Sequence, residues 1–147
     1  MGIAPADLKT GTETVLPGTL GIASGRLSPD GRYVAALSFS SASLLLYDLV
    51  SGTTRQLADF ADYPAWSSDG KYVYYSNISR GFILTPEKTG IFRVKIADGS
   101  VERLIPAPAF PLQGNWGVWF GVTPDGSLLV LHNLGTSDVY ALDIDLP

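Results

Sequence analysis

The sequence predicts an all-β protein assembled from repeated four-stranded antiparallel sheets. Three observations lead to this fold class. A phrase ending in Asp-Gly occurs three times, short segments rich in β-forming residues follow each copy, and no segment has the sustained period and caps of a helix. The 147 residues amount to about one domain, and 46% of them are hydrophobic, so the chain can bury a core.

The repeated phrase has the composition of a tight turn. It reads SPDG at 28–31, SSDG at 67–70 and TPDG at 123–126. Pro favours the second position of a type I turn, Asp accepts hydrogen bonds from the nearby backbone, and Gly adopts the left-handed conformation that follows. Turns of this kind join two antiparallel strands, so each copy predicts a hairpin.

Each hairpin is extended by two more predicted strands. The strand after the turn is rich in β-branched and aromatic residues and is predicted at 33–38, 72–77 and 128–131. A third strand is predicted at 44–49, 91–96 and 139–144. A second turn at 50–53 and 97–100 then leads to a more polar fourth strand at 54–57 and 101–105.

Four short strands in each unit of a long repeat are the signature of β-propeller blades. The sequence therefore predicts a single half-propeller over 1–147, with three blades at about 18–58, 59–105 and 106–147. Residues 6–16 match 47–57, so the chain begins at the end of a third strand and continues into a fourth strand at 12–17. This early strand is expected to complete the last blade.

The number of blades bears on assembly. Propellers usually have four to eight blades, and three blades would leave two apolar faces uncovered. We expect a homodimer with two-fold symmetry, in which each N-terminal strand completes the other chain's last blade and six blades form the ring. The alternative is that the chain is half of a longer six-bladed polypeptide.

The blade sequence resembles the TolB-type, WD-like propeller repeat. SPDGRY at 28–33, YDLVSG at 47–52 and especially YPAWSSDGK at 63–71 carry the resemblance, with Ser68 in place of the turn Pro. The stretch 134–143 resembles the C-terminus of regulator-linked propellers, so the chain compares with the C-terminal three blades. The resemblance implies a bacterial sensor or scaffold module of a larger regulatory or signalling protein. It also admits the propeller domain of a prolyl-oligopeptidase-type hydrolase, and it favours an extracytoplasmic location.

Uneven repeat spacing indicates one face for binding. The interval from Asp69 to Asp125 is considerably longer than the interval from Asp30 to Asp69. The extra residues fall at 78–90 and 106–118, in loops that leave the same face of a blade, and long loops on a rigid scaffold often carry function. The residues predicted to bind a protein or small ligand there are Arg80, Phe82, Lys88, Phe110, Gln113, Trp116 and His132.

The alternative for Phe110 and Trp116 is that they only pack the long loop against its blade. Trp66, Trp119, Tyr72 and Tyr74 are expected to pack between blades.

The sequence predicts a non-catalytic chain without cofactor or metal. It has no cysteine, and its single histidine is His132. The sequence contains neither the G-x-S-x-G motif of a nucleophile elbow nor the acidic loop of a calcium site. The net charge of −4 argues against nucleic acid as a partner. No apolar run is long enough to span a membrane, and this chain has no signal peptide. A self-assembling structural half-propeller without its own ligand remains an alternative.

Overall fold

The computed structural model describes residues 2–77, 88–106 and 120–130, and these ranges form antiparallel β-sheets. Within them no helix is long and apolar enough to cross a membrane. The all-β prediction is confirmed.

Two complete sheets follow one another along the chain, each with its strands in sequence order. The first contains β1 (Ile22–Leu27), β2 (Tyr33–Ser38), β3 (Leu44–Asp48) and β4 (Thr53–Ala58). The second contains β5 (Asp62–Trp66), β6 (Tyr72–Ser76), β7 (Gly90–Lys95) and β8 (Val101–Pro106). β9 (Phe120–Val122) and β10 (Leu128–Val130) form a third hairpin, and the third strand expected at 139–144 lies outside the described residues.

The Asp-Gly phrase forms the same turn in each sheet. The Asp69 carboxylate accepts hydrogen bonds from Ser67 Oγ at 2.7 Å and from the Lys71 backbone N–H at 3.0 Å. Asp30 and Asp125 have equivalent partners. The glycines that follow have φ values of 73°, 70° and 85°, which a side chain would disfavour. The predicted hairpin turns are therefore present, and the aspartates serve the turns themselves.

The third hairpin is one residue tighter than the first two. Its Thr123 N–H donates to Ser127, four residues on, whereas Ser28 and Ser67 donate to carbonyls five residues on. Val122 consequently pairs with Leu128, although the repeat would pair it with Leu129. A shift of one residue turns a strand over, so Leu128 and Val130 pack inward while Leu129 is 57% exposed.

The N-terminal segment repeats the outer turn of the first sheet. Asp7 Oδ1 accepts from the N–H groups of residues 9 and 10, just as Asp48 Oδ1 accepts from those of residues 50 and 51. The predicted strand at 12–17 is less regular than expected. It pairs with the preceding segment through an isolated bridge between Ala6 and Glu13 and a 2.8 Å bond from Leu16 N to Ile3 O.

The sheets stack face to face through three apolar clusters. One cluster lies between the first and second sheets and includes Leu44, Leu46, Val73 and Tyr75. A second joins the second sheet to the third hairpin through Tyr74, Ile91 and Phe120, and the third joins the first sheet to the N-terminal segment. Successive side chains of a strand point to opposite faces of its sheet and therefore pack in different clusters, because both faces are buried.

The first strands of the sheets lie beside one another. β5 contacts both β1 and β9, and the indole Nε1–H of Trp66 donates to the carbonyl of Arg26 at 2.8 Å. Trp66, Tyr72 and Tyr74 pack between sheets as expected, while Trp119 lies outside the described residues. The stack is therefore arranged around its first strands, with the fourth strands outermost.

Candidate functional site: the long-loop face

Successive connections of each sheet emerge on opposite faces of the stack, because neighbouring strands are antiparallel. We call one side the long-loop face. Its described connections are 17–21, 39–43, 59–61 and the two ends of the loop between β6 and β7. The other side, the tight-turn face, carries the Asp-Gly hairpin turns and the outer turns at 7–11, 49–52 and 96–100.

Exposed aromatic side chains of the described residues occur on the long-loop face. Phe39 is 58% exposed, Phe60 39% and Tyr63, at the start of β5, 37%. Leu20, in the preceding connection, is 80% exposed. Exposed apolar residues in or next to the turns of the tight-turn face are aliphatic: Leu8, Leu27, Val50 and Val101. Aromatic residues are enriched at binding interfaces because they bury much area at low entropic cost.

Backbone hydrogen bonds join the loops that carry these aromatics. The N–H of Phe39 donates to the carbonyl of Gly21 at 3.1 Å, which places Leu20 and Phe39 on neighbouring loops. The N–H of Ala61 donates to the carbonyl of Ala42 at 2.8 Å, which ties the Phe60 loop to the same β2–β3 connection. The face is therefore a connected surface, held in place by its backbone.

Two of the aromatics stand in a backbone conformation that glycine favours. Phe60 has φ of 51° and Tyr63 has φ of 52°. The residues nine and six positions before the first turn aspartate are their repeat counterparts, Gly21 at 80° and Ser24 at 54°. Bulky residues in the left-handed region cost free energy and concentrate at functional sites. Phe60 thus occupies a position where the preceding repeat uses glycine.

The bulge around Tyr63 has a structural origin. In β1 and β5 the register shifts at the same place, between Ala23 and Arg26 and between Asp62 and Ala65. Pro64 lies inside the second bulge, where a missing N–H breaks no ladder bond. The bulge turns the backbone at Tyr63 and leaves its side chain exposed at the edge of the stack.

Of the predicted binding residues, the structure describes only Lys88. Lys88 is exposed, and its carbonyl accepts a 2.8 Å hydrogen bond from Asn77 Nδ2. Asn77 Oδ1 in turn accepts from the Gly90 N–H at 2.9 Å, so one side chain clamps the base of the long β6–β7 loop. The other predicted residues, which lie outside the described residues, are Arg80, Phe82, Phe110, Gln113, Trp116 and His132.

Sequence reasoning overlooked Phe39, Phe60, Tyr63 and Leu20, because it searched only the loops that are longer than their counterparts. A signal was available in the repeat alignment. Trp116 and Trp119 stand nine and six residues before Asp125, as Phe60 and Tyr63 stand before Asp69. Aromatic residues thus recur at two fixed distances before the turn.

Two of the lysines on the tight-turn face form ion pairs with turn aspartates. Lys71 Nζ lies 3.2 Å from the Asp69 carboxylate, and Lys95 Nζ lies 3.1 Å from that of Asp98. Hydrogen bonds from Ser67 and the Lys71 backbone, and then from the Lys71 side chain, lower the pKa of Asp69 to about 2. The same kinds of contact, from Ser100 and then Lys95, lower the pKa of Asp98 to about 2. These carboxylates therefore maintain the turns.

The described ranges contain no group of three His, Asp or Glu side chains placed to hold a metal ion.

Comparison with known proteins identifies the fold. No family model and no curated protein match the sequence. Among solved structures, TolB from Acinetobacter baumannii is 19% identical, with 93% of this chain and 44% of that chain covered and a TM-score of 0.47. An acylaminoacyl peptidase from Pyrococcus horikoshii is 14% identical over 87% of this chain and 27% of its own, with a TM-score of 0.54.

A structure from a study of two prolyl endopeptidases is 19% identical over 84% of this chain and 22% of that one, with a TM-score of 0.53. The chain has a β-propeller-type fold. The sheets described above are therefore blades, with β1, β5 and β9 as their inner strands. The chain spans less than half the length of each of these structures, and identities this low establish the fold alone.

Proposed function

We propose that this chain is a non-catalytic β-propeller module that binds a protein through the long-loop face. The observation that carries the proposal is the restriction of exposed aromatic side chains, within the described residues, to that face. Phe39 and Phe60 form the centre of the proposed contact, and Tyr63 and Leu20 border it. The loops that carry them are held by backbone bonds, so the surface is formed before a partner arrives.

We further propose that the module works within a larger regulatory or signalling protein. Support comes from length, because this chain covers only 27% and 22% of two solved chains that share its fold. The predicted residues of the long loops, including Lys88, would extend the same surface. In this arrangement the propeller supplies recognition and another domain supplies the response.

The test compares the two faces. The tagged chain is isolated from its source cells, and co-purified proteins are quantified for wild type, for Phe39→Ala with Phe60→Ala, and for Leu8→Ala with Val50→Ala. The long-loop pair is expected to lower recovery of a specific partner at least tenfold, since interface aromatics often contribute about 1 kcal/mol or more each. The control pair, which is at least as exposed and lies on the tight-turn face, should leave recovery unchanged. Equal recovery from both pairs, or loss with the control pair alone, would refute the proposal.

A further inference from the structure

An apolar groove lies along the line where the N-terminal segment packs against the inner strands of the first blade. The groove is about 340 Å³ in volume and is lined by Pro5, Leu16, Gly25, Leu27, Val34 and Leu49, among others. Leu27, at the end of β1, is 59% exposed beside it. The groove continues the cluster in which Ile3 and Leu16 pack against the same blade face.

The interface between the first two blades shows what normally fills this position. There, Leu44 of β3 and Leu57 of β4 cover the outer half of the second blade's face. Ala35 and Leu37 of β2 cover the inner half. The alignment that matches 6–16 with 47–57 also equates Ile3 with Leu44 and Leu16 with Leu57. The N-terminal segment therefore supplies the outer half of a preceding blade.

The inner half of that preceding blade is what the groove lacks. In the interface between the first and second blades, the hairpin β1–β2 covers the inner half of the second blade. Among residues 2–77, 88–106 and 120–130, no corresponding hairpin covers the inner half of the first blade. The missing element is thus an inner hairpin joined by a tight turn, with an apolar side chain directed at the exposed Leu27.

The third hairpin has the complementary property. Leu128 and Val130 pack toward the second blade, and the intervening Leu129 points the other way and is 57% exposed. Because of the one-residue register shift, this outward face of β10 presents leucine. One end of the blade stack therefore offers an inner hairpin with an exposed leucine, and the other end lacks an inner hairpin.

We propose that the groove binds the β9–β10 hairpin of a second copy of this chain. Each copy contributes its hairpin to the other's groove, and the two contacts close the assembly in a two-fold ring. The hairpin completes the blade that the N-terminal segment of the other copy begins. The contact extends an existing apolar interface and buries Leu27 and Leu129, both of which would otherwise face water. The inference is independent of the proposed function, which concerns the other loops.

The experiment uses light scattering and cysteine pairs, which the absence of natural cysteine makes clean. The wild-type chain is expected to have twice the 15.7 kDa mass of one chain. An equimolar mixture of Leu27→Cys and Leu129→Cys chains, treated with a short bismaleimide, should give a covalent dimer. Each variant alone should remain uncross-linked, because the two-fold places like positions apart.

Charged variants test whether the groove of one copy contacts the β9–β10 hairpin of the other. Leu27→Asp and Leu129→Asp should each lower the dimer association constant at least a hundredfold, whereas the matched control Val101→Asp, on the outer strand β8 and 50% exposed, should not. Mixing the two deficient variants should restore a dimer, since one of its two contacts is then wild type. Far-UV circular dichroism verifies that each variant folds.

Two results would overturn the inference. One is a wild-type mass of 15.7 kDa at the highest soluble concentration, which would mean that a segment of another polypeptide fills the groove or that nothing does. The other is a dimer that survives both aspartate variants and gives no mixed cross-link.

Discussion

At the scale of single residues, the turn aspartates and the exposed aromatics play separate roles. Asp30, Asp69 and Asp125 each bind the backbone two residues on and a hydroxyl two residues before. Their repetition across the chain follows from turn geometry, so it identifies blades and says nothing about a ligand. Phe60 and Tyr63 share a left-handed backbone with their repeat counterparts Gly21 and Ser24, but their bulky side chains are not needed for that conformation and are disfavoured in it.

Asp69 should make stability depend on acid pH. Its folded-state pKa of about 2 lies below the ordinary 3.8, so the carboxylate stabilises the fold above pH 4 and loses this effect as pH falls toward 2. The melting temperature, measured from pH 7 to pH 2, should decrease most between pH 4 and pH 2. Asp69→Asn should melt lower than wild type at pH 7 and decline less below pH 4. Parallel curves for the two proteins would contradict this role.

Phe60 and Phe39 should respond differently to glycine. Both side chains are exposed, but only Phe60 has a positive φ. Both variants lose side-chain contacts and raise the entropy of the unfolded chain, but only Phe60→Gly also releases backbone strain. We expect Phe60→Gly to be the more stable variant by about 1 kcal/mol. Urea unfolding of the two variants measures the difference, and the reverse order would refute the strain at Phe60.

At the scale of elements, turn chemistry and strand composition made the blades predictable. The expected bounds agree with β2, β3, β6 and β8 to within a residue at each end, because alternating apolar residues face two packed neighbours. The register of the third hairpin was not predicted, since SPDGRY and TPDGSL share Pro-Asp-Gly, and their differences at the flanking residues do not specify how many residues the turn takes. The irregular N-terminal strand also escaped prediction, because matching residues do not specify how many ladder bonds form.

Asn77 should control the base of the long β6–β7 loop. Its side chain bonds the carbonyl of Lys88 and the N–H of Gly90. Asn77→Ala should destabilise the protein by about 1 kcal/mol, the net contribution of a hydrogen bond, and should speed amide exchange at Gly90. Asn77→Asp keeps the acceptor for Gly90 and serves as the control, so its Gly90 amide should remain protected. Fast exchange in both variants, or in neither, would exclude the clamp.

At the scale of the whole molecule, the stack of blades has two faces of different character. The tight-turn face carries paired charges, and the long-loop face carries the exposed aromatics. Sequence spacing selected this face for binding from the extra residues at 78–90 and 106–118, and that assignment stays a prediction because six of its seven residues lie outside the described ones. It missed Phe39 and Phe60 because it considered only the lengthened loops, although the recurrence of an aromatic residue nine positions before the turn aspartate pointed to Phe60. Among the residues it did select, Lys88 is exposed on the predicted face.

The central claim is that partners contact the long-loop face, and site-specific photo-cross-linking tests it most directly. A photoreactive phenylalanine analogue is placed at Phe60 in one variant and at Val50, on the opposite face, in another. After irradiation in source cells, the position-60 variant should give a discrete adduct with a partner protein, and the position-50 variant should give none. An adduct from position 50 with none from position 60 would contradict the account.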